Sequence, residues 1–215
     1  MSLSGKAFRA IMLALGVSAS VSSAQTNYIY NGDFSAPITT TTKMLLLNNG
    51  HDWSVSTNNI VTWDKINGHN APGCMRIKAD TVGAVKPKFD RIIAPITTTG
   101  ADVYALGATK MQIKFWVRSG RADGADSKVF ARFEAFLNHS PWTMVPKGFL
   151  TYPQHNKGAG KCDSVWRECV INDMPVTSNN VYNFHFLVND TDSEILVDDI
   201  TFVISETGSA ATSTH

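Results

Sequence analysis

The stretch Met111-Gln112-Ile113-Lys114-Phe115-Trp116-Val117-Arg118 carries the clearest structural pattern in the sequence. Side chains alternate between the two faces of a β-strand, so every second residue of the stretch shares a face. One face would carry Ile113, Phe115 and Val117, and the other Gln112, Lys114, Trp116 and Arg118. The stretch therefore predicts a strand with an apolar face in the core and a mixed, partly polar face outside.

The same period of two recurs in three later runs, at 128–137, 181–188 and 194–203. Turn-forming pairs separate the runs, at Asn67-Gly68, Ser119-Gly120, Asp123-Gly124 and Asn189-Asp190. After the first two dozen residues no amphipathic helix of useful length is evident. Many short strands joined by such turns predict an all-β domain, a β-sandwich or jelly roll.

The first 24 residues have the three parts of a secretory signal peptide. A basic start with Lys6 and Arg9 is followed by the apolar run 10–17, and small residues lead to Ala24. Cleavage is expected between Ala24 and Gln25. The apolar run is too short for a membrane span, which needs about 20 residues. The sequence therefore predicts export, to the outside of the cell or to a periplasm.

What remains predicts one domain over 25–205 and a disordered tail over 206–215, which is rich in Ser, Thr, Ala and Gly. The formal net charge is +1 and no basic stripe is present, which argues against a nucleic-acid partner. Of the three cysteines, Cys162 and Cys169 lie close together in a loop-rich stretch. A disulfide between them is possible in an exported protein, and Cys74 would then be a buried free thiol.

Three motifs together resemble a known family. They are the opening 27–35, which contains Asn31-Gly32-Asp33-Phe34, the strand 111–119, and the close at 195–202, which contains Val197-Asp198-Asp199-Ile200. In order and spacing they resemble the carbohydrate-binding modules of families four, nine and twenty-two, within the galactose-binding-like jelly-roll superfamily. The resemblance covers 27–204 and implies a sandwich whose concave sheet face holds sugar. The chain departs from it at Ser35, where the family has an acid, and in a long 138–161 stretch.

Sugar recognition requires exposed aromatic rings for the apolar faces of pyranoses, beside amides, carboxylates or guanidinium groups for the hydroxyls. Loop aromatics are candidates because large rings in a Pro/Gly-rich loop often have a function. Polar residues at mid-strand are candidates because three strands each offer a mixed face to one groove. The candidate ligand-binding residues are Trp142, Tyr152, Trp53, Trp116, Arg118, Arg132, Glu134 and His185. For the strand residues, core packing or a solvated ion pair is the competing interpretation.

The resemblance also implies a structural calcium ion where the opening strand meets the last strand. Calcium takes about six to eight oxygen ligands, and Asp33 with nearby carbonyls would supply some. By alternation Asp199 shares a face with Ile195 and Val197 and points inward, where a carboxylate is costly unless paired. Asp33 and Asp199 are therefore the candidate metal ligands; a carboxylate bonded to backbone amides is the alternative.

The function that this sequence favours is non-catalytic binding of a polysaccharide or glycan. The first alternative is an extracellular structural or adhesive protein that uses the sandwich to bind other proteins. The second is a hydrolase or lyase acting on polysaccharide, with loop His residues, Tyr152 and Lys157. Glu134 is the one mid-strand carboxylate on a possible groove and no second one pairs with it by pattern, whereas a glycosidase needs two.

Overall fold

The computed structural model describes residues 25–41, 51–55, 59–79, 91–128, 130–137, 149–151, 161–187 and 193–208. These residues form strands β1 (Thr40–Thr41), β2 (Trp53–Val55), β3 (Asn59–Asp64), β4 (Cys74–Ala79), β5 (Arg91–Ile93), β6 (Ala108–Ser119), β7 (Ser127–Lys128), β8 (Phe130–Leu137), β9 (Phe149–Thr151), β10 (Lys161–Cys162), β11 (Arg167–Pro175), β12 (Asn180–Leu187) and β13 (Glu194–Thr207), with helix α1 (Gly100–Ala105) between β5 and β6.

The strands make two main sheets that face each other across one core. The first is five-stranded, in the order β11-β6-β13-β4-β3, and the second is six-stranded, in the order β1-β2-β5-β12-β8-β9. Strands β7 and β10 form a small separate pair. Apart from the parallel pair β1–β2, the strand pairings are antiparallel. The prediction of an all-β jelly-roll sandwich is confirmed.

The core lies between β6 and β12 and is rich in aromatic rings. Phe115 lies with its ring centroid 5.6 Å from that of Phe184 and 5.2 Å from that of Phe186. The alternation on β6 is as predicted, because Ile113, Phe115 and Val117 are all buried while the residues between them are partly exposed. Tilted and edge-on ring pairs like these add about 0.5 to 1.5 kcal/mol each beyond the area they bury.

The opening segment closes the fold by lying along β13. The side chain of Asn27 donates to the carbonyl of Ile200 (2.9 Å) and accepts from the amide of Phe202 (2.9 Å). The carbonyl of Gly32 accepts from the amide of Ile200 at 2.7 Å. A Cβ at Gly32 would lie 2.1 Å from the Ile200 carbonyl oxygen, so the close approach requires glycine here.

Helix α1 is a single short element that joins the two sheets. Thr99 caps it: its hydroxyl accepts from the amide of Asp102, whose carboxylate accepts in turn from the Thr99 amide. Nowhere in the described residues does a helix reach the length and hydropathy that a membrane crossing requires.

The predicted disulfide is wrong. All three cysteines are free and buried, Cys74 as expected and Cys162 and Cys169 against expectation. Cys162 lies on β10 opposite Ser127, and its thiol is 3.5 Å from the Ser127 carbonyl oxygen. Cys169 lies on β11 opposite Phe115 of β6. The two residues thus belong to different strand pairs rather than to the single loop tip that their spacing in the sequence predicts.

Two predictions concern the ends of the chain, which lie largely outside the described residues. The signal peptide, 1–24, lies entirely outside them. Strand β13 ends at Thr207, so the first two residues of the predicted tail belong to the sheet, and 209–215 lie outside the described part.

Candidate functional site

The outer face of the five-stranded sheet carries an aromatic and polar cluster built on β6. Trp116 and Arg118 point away from the core and are half-buried. In the sheet register Trp116 lies between Glu168 of β11 and Asp198 of β13. We call the cluster the outer-face cluster; its members are Asn67, His69, Asn70, Trp116, Arg118, Trp166 and Asp199.

The loop 65–73, between β3 and β4, folds over this face and brings His69 to the centre of the cluster. The imidazole stacks on Trp116, with ring centroids 3.8 Å apart and planes 17° from parallel. It also meets the indole of Trp166 edge-on, at 5.7 Å and 63°. Trp166 lies immediately before β11, the neighbour of β6 in the sheet. The imidazole of His69 therefore contacts both indoles.

Two consecutive aspartates of β13 hold the loop in place. The amide of His69 donates to Asp198 Oδ2 at 2.6 Å. The carboxylate of Asp199 is 2.9 Å from His69 Nδ1, and it accepts a hydrogen bond from Asn70 Nδ2 at 2.7 Å. These bonds fix the orientation of the imidazole ring against Trp116.

The inward orientation predicted for Asp199 is wrong, because a β-bulge between Asp198 and Thr201 interrupts the alternation. Asp199 has a φ of 47°, a left-handed conformation that Asp and Asn tolerate better than most residues. Asp198 lies opposite Trp116 on the outer face, where the amide of His69 binds it, and it is the more buried of the pair, at 1% exposure. Burial raises the pKa of Asp198 to about 6, against the amides of His69 and Asp199, which lower it.

Arg118 connects the two ends of the cluster. Its guanidinium carbon lies 5.3 Å from the ring centroid of Trp166, within cation–π range. On the other side Nη2 donates to Asn67 Oδ1 in a long bond of 3.5 Å. Its Nε is buried and has no hydrogen-bond partner in the described part of the chain. The group therefore keeps unused donor capacity at a partly exposed aromatic surface.

A charged network at the base of the loop keeps Asn67 in position. Asp64 accepts from the amide of Asn67 (3.1 Å) and from its side-chain Nδ2 (2.9 Å), and it also pairs with Arg76. Arg76 in turn pairs with Glu194. Burial acts to raise the pKa of Asp64, but the hydrogen bonds from Arg76 and Asn67 hold it well below its usual range. The loop is thus held at Asn67 as well as at His69 and Asn70.

The structure brings together only part of the predicted ligand-binding set. Trp116 and Arg118 meet in the outer-face cluster. Trp53 is 1% exposed and packs in the core with its ring centroid 6.0 Å from that of Phe34, and His185 is fully buried. Neither can contact a ligand at the surface, so the prediction that they bind a ligand is wrong. Trp142 and Tyr152 lie outside the described residues.

The prediction that β6, β8 and β12 line one groove is also wrong. Strand β6 belongs to the five-stranded sheet, whereas β8 and β12 belong to the six-stranded sheet. Register places Arg132 opposite His185 and Glu134 opposite Asn183, so these positions adjoin one another but not Trp116. Alternation within a strand fixes which residues share a face, but it carries no information on which sheet the strand joins.

The predicted calcium ligands each have protein partners. Asp33 is exposed, and its Oδ1 accepts from the amide (3.3 Å) and the hydroxyl (3.1 Å) of Ser35, while Asp199 binds His69 and Asn70. Within the described ranges no three His, Cys, Asp or Glu residues group as metal ligands would. The two carboxylates fall short of the donors that calcium needs, and the ion stays a prediction, tested by whether EDTA lowers Tm.

Sequence patterns miss most of the cluster's other members. Asn67, His69 and Asn70 lie in a loop, where no periodicity exists to assign a face, and Trp166 lies just outside its strand. The one available signal is the turn-forming pair Asn67-Gly68, which predicts a reversal of the chain after β3. A reversal there returns the loop to β4, but it does not show that the loop covers Trp116.

Neither a protein-family profile nor a curated protein sequence matches the chain. Solved structures do match in fold. A protein from Bacteroides thetaiotaomicron, described as a candidate sugar-binding protein, has a TM-score of 0.51 at 9% identity, covering 84% of this chain and 100% of that one. The CBM22-2 xylan-binding domain of Paenibacillus barcinonensis Xyn10C has a TM-score of 0.49 at 10% identity, covering 71% and 91%.

A family-four carbohydrate-binding module has a TM-score of 0.45 at 14% identity, covering 81% of this chain and 98% of the module. The predicted resemblance to carbohydrate-binding modules is confirmed as a likeness of fold. Identities this low show the fold alone, and one fold serves many ligands. The ligand has to be argued from the outer-face cluster itself.

Proposed function

We propose that the protein is an exported, non-catalytic carbohydrate-binding protein that holds a polysaccharide or glycan chain at the outer-face cluster. One observation carries this proposal: two half-buried indoles, Trp116 and Trp166, lie beside a guanidinium group and two amide side chains on the outside of the five-stranded sheet. Aromatic rings next to planar hydrogen-bonding groups are the combination that sugar recognition requires.

The chemistry follows from the two kinds of surface that a sugar presents. The apolar C–H face of a pyranose packs on the exposed part of an indole, and its hydroxyls accept from Arg118 or exchange hydrogen bonds with Asn67 and Asn70. Because the loop is already held by Asp64, Asp198 and Asp199, binding orders few additional side chains. Preorganisation of this kind reduces the entropic cost of a shallow contact.

Export and the absence of catalysis are parts of the proposal that rest on the sequence. The basic, apolar and small-residue segments of 1–24 support export. Incubating the full chain with each bound polysaccharide and assaying new reducing ends and unsaturated products tests the second point. Turnover would replace the binding function with a hydrolase or lyase.

The test of the site is Trp166→Ala, measured by titration of the full chain against a panel of neutral and acidic polysaccharides. Loss of one stacking platform is expected to weaken binding by about tenfold, from roughly 1.4 kcal/mol of lost contact. Tyr104→Ala is the matched control, because Tyr104 is a 58% exposed aromatic on α1 and is not a member of the cluster. Its affinity should equal that of the wild type.

Two results would contradict the proposal. If Trp166→Ala binds as tightly as the wild type while its far-UV spectrum and Tm are unchanged, the site lies elsewhere on the molecule. If the wild type binds no member of the panel, the function itself is wrong.

An adhesive function is the second candidate, because two exposed apolar side chains lie next to members of the cluster in sequence. Ile66 is 83% exposed and Val165 is 53% exposed. Exposed apolar side chains around an aromatic patch are typical of protein-binding surfaces. Ile66→Asp separates the two functions: it should abolish binding to a protein partner and leave glycan affinity within about twofold.

A further inference from the structure

Arg118 differs from the other arginines whose side chains the structure describes. The other three each form an ion pair: Arg76 with Asp64 and Glu194, Arg121 with Asp123, and Arg167 with Asp163. Arg118 pairs with no carboxylate in the described part of the chain, although it is half-buried. Its contacts are the Trp166 ring and the long bond to Asn67.

This arrangement leaves a permanent positive charge incompletely satisfied. A guanidinium group stays protonated under all ordinary conditions and presents five N–H donors in a planar fork. Arg118 uses one of them, weakly, and its buried Nε has no partner. Cation–π attraction to the indole offsets about 0.5 to 2 kcal/mol of the cost of desolvating the guanidinium group. The face of the ring does not accept the N–H hydrogen bonds that point outward in the guanidinium plane. The buried Nε is out of a ligand's reach, so an external acceptor would bind the terminal Nη groups of the fork.

Two carboxylates of the same face, Asp198 and Asp199, are already engaged with other groups, and a third, the exposed Glu168 of β11, lies opposite Trp116 in the sheet register. Asp198 accepts from the amides of His69 and Asp199, and Asp199 binds the side chains of His69 and Asn70. Both bind the loop, on the β13 side of Trp116, whereas Arg118 lies on the Trp166 side of the cluster. Among the ion pairs of the described residues none includes Arg118, so its guanidinium group is open to an acidic group from outside these residues.

We infer that the glycan bound at the outer-face cluster is acidic and that a uronate carboxylate of the glycan pairs with Arg118. The inference rests on the proposed function and specifies its substrate class. A carboxylate matches the guanidinium fork with two parallel hydrogen bonds, stronger than those to neutral hydroxyls. The sugar ring that carries the carboxylate also contacts the adjoining indole, a contact that binding of a free anion would not use. The indole beside Arg118 therefore favours a uronic acid over an acidic peptide.

The experiment compares matched acidic and neutral ligands of one backbone. The full chain is titrated with an oligogalacturonate and its methyl ester, and with glucuronate-substituted and unsubstituted xylo-oligosaccharides. At least one acidic member is expected to bind about tenfold tighter than its neutral match. The preference should shrink as salt rises from 20 to 500 mM, values chosen to bring the screening length from about 20 Å to about 4 Å.

Three variants locate the preference. Arg118→Gln should abolish it by lowering affinity for the acidic ligand about tenfold, with the neutral ligand within about threefold. Arg118→Lys should restore only part of it, because an ammonium group lacks the planar fork. Arg121→Gln is the control: this arginine lies near Arg118 in sequence but pairs with Asp123, and the preference should be unchanged. Because Arg118→Gln removes an unpaired charge, its Tm should not fall, so lost binding cannot be attributed to unfolding.

The outcomes separate the two proposals. If the acidic and neutral members bind equally, or neutral glycans bind and acidic ones do not, the acidic ligand is wrong while carbohydrate binding stands. If no glycan of either kind binds, the proposed function fails and this inference fails with it. If poly-glutamate competes as well as the oligogalacturonate in an Arg118-dependent way, the partner is an acidic protein, and the uronate assignment is overturned.

Discussion

The outer faces of the two sheets carry similar kinds of residue and bury them to very different degrees. On the five-stranded sheet Trp116 and Arg118 remain half-buried. On β12 of the six-stranded sheet Asn183 and His185 alternate with core residues, yet they are 1% and 0% exposed. A polar strand face is therefore not the same as an accessible surface, and only the first of these faces is built from groups that a ligand could reach.

The difference has an energetic consequence. Buried polar groups have to be hydrogen-bonded within the protein, as in the contact of His185 Nδ1 with Asn183 Oδ1 at 3.4 Å. Such groups contribute to stability and to a unique packing, whereas half-exposed groups can change partners at low cost. Substitutions on the β12 face should therefore lower the free energy of unfolding, and substitutions in the outer-face cluster should lower affinity.

His185→Ala should have the largest effect and should act on stability alone. Removing a fully buried imidazole leaves a cavity and frees its partners, which together cost about 2 to 4 kcal/mol. Urea unfolding measures the loss, and glycan titration should give an unchanged affinity for the fraction that is folded. A loss of binding with full stability would mean that His185 is part of a ligand site and would remove the contrast between the two faces.

The pH dependence of stability should report Asp198, with an effect of about 1 to 3 kcal/mol. Its pKa is raised from 3.8 to about 6 in the folded protein, chiefly by burial. The unfolded chain then releases the proton at lower pH than the folded one, so this residue's contribution is complete below about pH 4 and is lost as pH rises through about 6.

Asp198→Asn isolates this contribution from that of other groups, including Asp199 and His69 beside it. Relative to the wild type, the variant should gain stability between pH 4 and pH 7 by the same amount, measured by urea unfolding at each pH. A difference between the two proteins that does not vary with pH would show that Asp198 is ionised with an ordinary pKa and that the loop at His69 does not shield it from water.

His69→Ala should have a smaller effect, and it should lower both the free energy of unfolding and the glycan affinity. The ring contributes one stacking contact to Trp116, one edge contact to Trp166 and one bond to Asp199. Because the loop stays anchored through its backbone bond to Asp198, about 1 kcal/mol of stability should be lost. Affinity should fall about threefold, because Trp116 loses the ring that holds its orientation. An unchanged affinity would mean that Trp116 is not part of the ligand surface.

Local patterns in the sequence predict local features of this molecule well. The faces of β6 follow from a period of two, because alternation is a property of the strand itself. The residues that close the fold also stand out in the sequence. The contact with Ile200 requires glycine at position 32, and Asn27 forms a pair of hydrogen bonds to β13. These motifs carry the family resemblance, and in the structure they serve closure of the sandwich.

Features that depend on distant parts of the chain could not be predicted in the same way. Which sheet accepts β6 or β8 is set by pairing between strands far apart in sequence. The irregularity after Asp198 brings Asp199 to the outer face beside it, and nothing in the alternation of β13 indicates this. The cluster depends on a loop that crosses the sheet to reach Trp116, and loops have no period from which a face could be assigned.

The smallest effect is expected at the cysteines, where the contrast is between two strand pairs rather than two faces. Burial is the main reason that the pKa of each thiol is raised to about 12, so few thiolates form at neutral pH. In the native protein no thiol should react with DTNB at pH 8, and three should react in guanidinium chloride. Reductant should leave the free energy of unfolding unchanged within about 0.5 kcal/mol, whereas closing a short loop with a disulfide would add about 2 to 3 kcal/mol.

Cys162→Ala is the control, because it removes one thiol without touching Cys169. One reactive thiol instead of three after denaturation would show that Cys162 and Cys169 are bonded, and that β10 and β11 approach more closely than their separate pairings indicate.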